Sequence, residues 1–335
     1  MSPRELPISF SFSAIQARRL KGALLEVKSN PYSEYRDFKG EVARIVNSGV
    51  LPVPFMERVQ AASASDGWDS PFVFIESVPL DDDLPILDNS DPTLSKRATK
   101  RTFVIEGYLE VYSQVSGCAA IGYRNVNDGD IFHDVYPKED LFFSQSQKAL
   151  GPFYFHKDLA SDSVPADYVN IVSVRSTSAN QIYNTFASNK DVLLALGSKT
   201  KEVLLSPQFC TQLDDRSDSA AGGPGLENAR RHAILQEDGR GLFFFETRTK
   251  GLTEHAQRAV QDLTHALHGR QKRVLMLPGD FVSISNHMSL HGKEVHKIQD
   301  EAAMRHRWSM KTVNVRNLAQ YARYFESPDS PIVNA

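Results

Sequence analysis

Cysteine is scarce in this chain, with only Cys118 and Cys210 among 335 residues. Two thiols cannot build a disulfide framework or a cysteine metal knuckle, and their scarcity points to a reducing cytoplasm. Long apolar runs are also lacking. No stretch approaches 18 uncharged apolar residues, so no membrane span is expected. The opening segment MSPRELPISFSFSAIQARRL has no apolar core followed by a small-residue cleavage site, so no signal peptide is expected. Nor does one sign of charge dominate. Lys plus Arg number 38 against 41 Asp plus Glu, a net charge of −3 and a pI near 6.4, which gives no reason to expect a nucleic-acid or anionic membrane partner. What is present is an ordinary globular balance, 41% hydrophobic and 24% charged, on a length with ample core volume. Ten histidines accompany it.

The first third reads as helix-rich. Residues 13–29, 34–48 and 98–117 carry apolar positions at helical spacing, and residues 72–95 hold a short strand followed by a turn-rich acidic segment. From about residue 118 the texture changes to strand-length runs of Val, Ile, Phe and Tyr separated by polar turns: GDIFHDVYP, FYFH, DYVNIVSVRS, GLFFFETRT, RVLML, DFVSISNH and RWSMKTVNV. Helices interrupt these runs at 188–196 and 253–268, the second with Thr253 as its N-cap and Ala256, Val260, Leu263 and Leu267 buried. Residues 214–229 form a small-residue, acidic, lid-like loop. Many short strands with helices outside indicate an α+β chain built on a sandwich or barrel.

Histidine is the commonest metal ligand. His156 and Asp158 form His-x-Asp, and in an extended segment residues i and i+2 project to one face, where both can grip one ion. A third ligand on another strand would complete the two-histidine, one-carboxylate face that suits Fe(II). LPGDFVSISNHMSLHGKEVH offers His287, His291 and His296; His291, at the end of the FVSISN run and before Gly292, is the best placed. Downstream, MRHRWSMKTVNV reads as a strand with Arg305 and Arg307 on one face. A buried arginine near a metal suits a dicarboxylate, because its planar fork binds a carboxylate through two hydrogen bonds.

The order His156-x-Asp158, SNHMSLHGK with His291, then Arg307-Trp308 resembles the Fe(II)/2-oxoglutarate-dependent oxygenases, and within them the clavaminate synthase-like branch of amino-acid hydroxylases. VPLDDDLP (78–85), IFHDVYPK (131–138), PADYVNIVSVRS (165–176), FFFETR (243–248) and LPGDFVSISN extend the resemblance over about residues 72–315. It implies a double-stranded β-helix, a cupin-like jelly roll with flanking helices, in a single domain over 1–335: helix-rich over 1–117, jelly roll over 118–320. It implies Fe(II) held by His156, Asp158 and His291, with 2-oxoglutarate and O2 as cosubstrates. Arg307 would hold the distal carboxylate of 2-oxoglutarate. The gap from His291 is two residues longer than usual and would land on Arg305, which stays as the alternative. Thr185 matches the hydroxyl that meets the other end of the cosubstrate. Lys311 matches the basic residue that meets the substrate carboxylate. Glu246, Arg248 and His133 fall at substrate-side positions, and an arginine at 248 argues against a guanidinium substrate.

The implied reaction is hydroxylation of an unactivated C–H of an amino acid or derivative, with release of succinate and CO2, in specialised (natural-product, antibiotic-type) metabolism. With Asp158 in place halogenation is not expected, since halogenating relatives have a small residue there. Desaturation or cyclisation with the same cofactors, or a non-catalytic cupin-like binding protein, are the alternatives.

Overall fold

The computed structural model describes residues 4–159, 163–212, 231–327 and 330–334; the expected lid-like loop 214–229 lies outside them. The N-terminal part runs β1 (Ile8–Ser11), α1 (Ala14–Leu25), α2 (Tyr35–Val46), α3 (Val53–Ala64), β2 (Phe72–Glu76), α4 (Pro92–Thr99) and α5 (Val104–Ser116). The chain continues through β3 (Ala119–Tyr123), β4 (His133–Val135), β5 (Phe153–His156), β6 (Tyr168–Arg175), β7 (Gln181–Ser188), α6 (Asn189–Ala195), α7 (Ser198–Leu204) and β8 (Phe209–Thr211). After it come β9 (Arg231–His232), β10 (Thr249–Gly251), α8 (Glu254–Arg270), β11 (Lys272–Val274), β12 (Phe281–Ser285), β13 (Ser289–Lys297), α9 (Glu301–Arg305), β14 (Trp308–Val315) and β15 (Ile332–Val333).

Two sheets make the core. The larger has the order β1-β2-β12-β6-β14-β3-β15 with β4 also on β14, and the smaller has the order β11-β7-β13-β5. β12-β6-β14-β4 and β11-β7-β13-β5 are the two four-stranded antiparallel layers of a jelly roll, as expected. Strand alternation sorts the residues. Val169, Val282, Ile284 and Val313 of the large sheet meet Phe186 and Val274 of the small one inside. Val172, Val174, Trp308 and Met310 face the other way, into a core shared with the N-terminal helices. Phe155, Ala187 and Leu290 cover the outer face of the small sheet, under Ala256, Val260 and Leu263 of α8. Thr253 caps α8 by accepting from the Ala256 N–H at 3.1 Å, as its position in the sequence indicates.

The N-terminal helices are locked by buried ions. Asp81, from the VPLDDDLP segment, accepts the Val104 and Ile105 N–H groups and so caps α5, which has no side-chain cap of its own. Lys100 bridges Asp81 at 3.1 Å and Glu106 at 2.7 Å with every side chain buried. A second network ties α4 to the strands. Lys96 meets Asp134 at 2.6 Å, and Asp134 also accepts from the Trp308 indole. These contacts fix β4 and β14, the strands that carry His133 and Lys311, the second of them entered directly after Arg307.

Three expectations are corrected. The acidic segment 72–95 contains the start of a helix, α4, with Asp91 accepting from Leu94 N–H and Pro92 at its first turn. FFFETR is not a strand: Glu246 N–H donates once to the Phe155 carbonyl and the chain then turns. MRHRWSMKTVNV is not one strand either, because Met304 and Arg305 end α9 and β14 begins at Trp308.

Candidate metal centre and anion recess

β13 pairs antiparallel with β5 so that His291 stands opposite His156. Gly292 makes this approach possible: a Cβ there would lie 2.8 Å from the Phe153 carbonyl oxygen. The imidazole centroids are 4.4 Å apart. The Asp158 carboxylate sits 3.5 Å from His156 Nε2 and 3.8 Å from His291 Nε2. One ligand atom from each residue lies within 4.8 Å of the others, and this is the only such group among the described residues. His287 and His296 are elsewhere, paired with Asp167 and Glu294.

The donor set fits an Fe(II) ion. The His156 Nδ1 lies 2.9 Å from the Tyr154 carbonyl, a bond that needs the proton on Nδ1 and frees the Nε2 lone pair for a metal. Burial, helped by His156 and Lys311, pushes the His291 pKa down to about 3, so its imidazole is neutral as a ligand must be. Burial works to raise the Asp158 pKa, but Lys311 and the two histidines outweigh it and hold the carboxylate well below its usual range. Asp158 is aimed by its backbone. The Asn286 amide donates to the Asp158 carbonyl at 2.8 Å and accepts the Asp158 N–H at 3.2 Å, and Leu159 follows in the left-handed region, at φ 53°.

Ser309 and Lys311 project inward from successive pleats of β14, and Arg307 immediately precedes the strand. Arg307 is buried, and among the described residues its Nε and Nη2 have no hydrogen-bond partner. Its pKa is pushed down to about 10 by burial. It lines a small recess of about 20 Å³ with Ser173, Asn180, Asn184, Met276 and Ser309. Arg305, by contrast, is exposed at the end of α9 and stacks over the Phe142 ring at 5.6 Å. Of the two arginines, only Arg307 faces the interior. Lys311 Nζ reaches Asp158 Oδ2 at 2.6 Å, within the His156, Asp158 and His291 cluster. His133, its cross-strand neighbour on β4, is buried with Nε2 unpartnered, and burial with the nearby lysines pushes its pKa to about 3.

The remaining expected residues sit elsewhere. Thr185 pairs with Gly292, and its hydroxyl lies 3.0 Å from where a Gly292 Cβ would be, so it faces away from His291. The neighbouring Asn184 takes the inner face and the recess. Glu246 spends its carboxylate on the Phe155 N–H and on His268 at 2.7 Å, outside the barrel. Arg248 donates to the Gln145 carbonyl at 3.1 Å on the β4–β5 connection. Asn184, Asn286 and Lys293 went unnoticed in the sequence. The signal for Lys293 was available: it stands two residues beyond His291 on one strand.

No protein-family model matches the chain. It is 24% identical to clavaminate synthase 2 of Streptomyces clavuligerus over 242 residues, 71% of either chain. It is 25% identical to enduracididine beta-hydroxylase of Streptomyces hygroscopicus over 203 residues, 52% of this chain and 57% of that one. It is 22% identical to the L-lysine 3-hydroxylase of Catenulispora acidiphila over 252 residues, 73% of this chain and 67% of that one. Among solved structures, an asparagine oxygenase in complex with Fe(II), 2S,3S-3-hydroxyasparagine and succinate superposes with a TM-score of 0.80 at 15% identity, covering 97% of this chain and 99% of that one. The non-heme iron oxygenase OrfP with Fe and alpha-ketoglutaric acid gives 0.78 at 17% identity, covering 97% and 99%. The resemblance read from the motifs is thus to the same branch that these relatives and neighbours represent, and the fold is theirs.

Proposed function

We propose that the chain is an Fe(II)- and 2-oxoglutarate-dependent oxygenase that hydroxylates an unactivated C–H of an amino acid or amino-acid derivative. One observation carries this reading. The inner face of a single jelly roll holds a His-Asp-His cluster and a buried arginine with two unpaired nitrogens over a recess. His156, Asp158 and His291 would hold the iron on one face and leave the opposite positions open. Arg307 would take the distal carboxylate of 2-oxoglutarate, its fork meeting the two oxygens in a dry setting. With both groups bound, the centre supplies the oxidising chemistry: 2-oxoglutarate and O2 are consumed, succinate and CO2 are released, and one oxygen atom enters the C–H bond.

The chain's own residues do the positioning. Tyr154 and Asn286 hold His156 and Asp158 in orientation. Lys311 balances the Asp158 charge and stands where a substrate carboxylate would approach the cluster. The unpartnered Nε2 of His133 offers a neutral acceptor or donor to the same substrate. The relatives' names, clavaminate synthase and an enduracididine hydroxylase, support a place in specialised metabolism.

The test is succinate release from the Fe(II)-loaded protein across the twenty protein amino acids and common non-protein ones, with mass spectrometry of the product. A gain of 16 mass units supports hydroxylation, and a loss of 2 assigns desaturation or ring closure. Absence of anaerobic 2-oxoglutarate binding would sink the proposal.

A further inference from the structure

Lys293 projects into the barrel from β13, two residues beyond His291 and on the same face. It is 6% exposed. Its register partner on β7 is Asn184, which lines the recess with Arg307. Its ammonium donates to a neutral acceptor, the Ala149 carbonyl, at 2.6 Å.

That pairing is unusual within this chain. Lys96, Lys100 and Lys311 are buried too, and each meets a carboxylate within 3.1 Å. Lys157 also donates to a carbonyl, but it opens onto a separate surface cleft carrying Asp66, Asp167 and Asp238. Lys293 has neither a carboxylate partner nor an acid-lined cleft among the described residues. Instead it lies within electrostatic reach of a second buried basic group, Arg307, whose Nε and Nη2 are themselves unpartnered among the described residues. Burial and mutual proximity make charge at these two groups costly, and a bound anion offsets that cost. Ala149 uses one of the three ammonium donors and leaves two.

We infer that Lys293 and Arg307 together form a two-cation anchor for the distal carboxylate of the 2-oxo acid cosubstrate, with Lys293 a binding residue for it. This rests on the oxygenase reading above. Lys293 brings a point charge from the small sheet and Arg307 a fork from the large one, so the carboxylate is gripped from both layers. The anchor favours a dicarboxylate over a 2-oxo acid that lacks the second carboxylate.

Calorimetry on the Mn(II)-loaded protein, without O2, tests the assignment with 2-oxoglutarate and pyruvate. Pyruvate keeps the chelating end and lacks the distal carboxylate. Lys293→Met is expected to weaken 2-oxoglutarate about tenfold or more and pyruvate less than about twofold, whereas Lys293→Arg stays within about threefold of wild type for both. Lys293→Gln keeps a donor for the Ala149 carbonyl without the charge, and is expected to lose 2-oxoglutarate affinity as Met does. Should Met prove poorly folded by thermal melting, Gln decides. Equal losses for the two ligands, or rescue by Gln, would reduce Lys293 to a pin for the Ala149 backbone and overturn the assignment. If wild type binds 2-oxoglutarate and the Lys293 variants match it, the inference alone fails. If wild type does not bind it, the oxygenase reading fails as well.

Discussion

Replacing Arg307 with Met should make the ligand-free protein more stable while destroying its affinity for 2-oxoglutarate. Arginine is charged in the unfolded chain at every accessible pH. In the folded chain burial pushes its pKa down to about 10. At ~1.4 kcal/mol per unit this corresponds to a charging cost of about 3 kcal/mol, constant below pH 9 because both states then hold the proton. The Nε and Nη2 groups recover none of it from the described residues, among which neither has a partner. Met keeps an unbranched apolar stem in the same space without the charge or the unpaired donors. Allowing for imperfect packing, the variant should gain about 1–3 kcal/mol in urea unfolding, read as a higher midpoint at unchanged slope. Against this, removing one partner of a buried, hydrogen-bonded charge pair costs about 2–5 kcal/mol of binding, so the 2-oxoglutarate Kd should rise at least ~30-fold. Arg305→Ala is the control, expected to leave both quantities unchanged because that side chain is exposed over Phe142. A ligand-free Arg307→Met protein less stable than wild type by more than about 1 kcal/mol would refute the reasoning, because the guanidinium would then have a partner in the folded state.

Other outcomes follow from the same geometry. His156→Ala should abolish both succinate formation and tight binding of Co(II), read from its visible absorption; retention of either would displace His156 from the ligand set. Asn286→Ala orphans the Asp158 and Ala166 carbonyls, so it should cost about 1–3 kcal/mol in denaturant unfolding and weaken metal binding ~10- to 100-fold, and an unchanged metal affinity would relieve Asn286 of its orienting role. Hydrogen bonding to Glu246 raises the His268 pKa, so this pair's contribution is full below the ordinary histidine value near 6.5 and fades as pH rises through the raised one. The stability advantage of wild type over Glu246→Gln should therefore shrink between pH 6 and pH 9. Because His268 is 37% exposed, that advantage is at most ~1 kcal/mol, and a pH-independent difference would mean that the Phe155 N–H contact alone matters.

The clustering of His156, Asp158 and His291 was legible because it depends on strand geometry over short distances. His156 and Asp158 are two residues apart, and His291 closes a strand whose turn chemistry is visible in LPGD. The same local logic placed the N-cap and buried face of α8. What failed was the choice of face on strands buried on both sides. Almost every residue of β7 is enclosed, so QIYNTFAS shows no polar face to set the phase. A phase error of one residue exchanges Thr185 for Asn184 and moves the side chain from the recess to the opposite face of the small sheet.

The arginine ambiguity has a different cause. The stretch between His291 and Arg307 contains α9, whose N-cap Asp300 accepts from the Ala303 N–H at 2.8 Å. Asp300 followed by Glu-Ala-Ala-Met is a helix-start signature, and a helical turn there converts the apparent Arg305–Arg307 strand face into one residue outside and one inside. Glu246 failed for want of a partner visible in one dimension. Only the fold brings the His268 imidazole 2.7 Å from its carboxylate. The interior charges were hidden for the same reason. Lys293 and Arg307 are fourteen residues apart along the chain, on opposite sheets, and neither looks exceptional in a sequence with 38 basic residues. Their meaning comes from the missing counter-charge. Once the strands close, Asp158 is the acid set among these inward cations, and it is already committed to Lys311 and the two histidines. An interior left with unbalanced positive charge is poorly arranged for stability and well arranged for a dianion, so the residues that cost the fold most are those on which binding should depend.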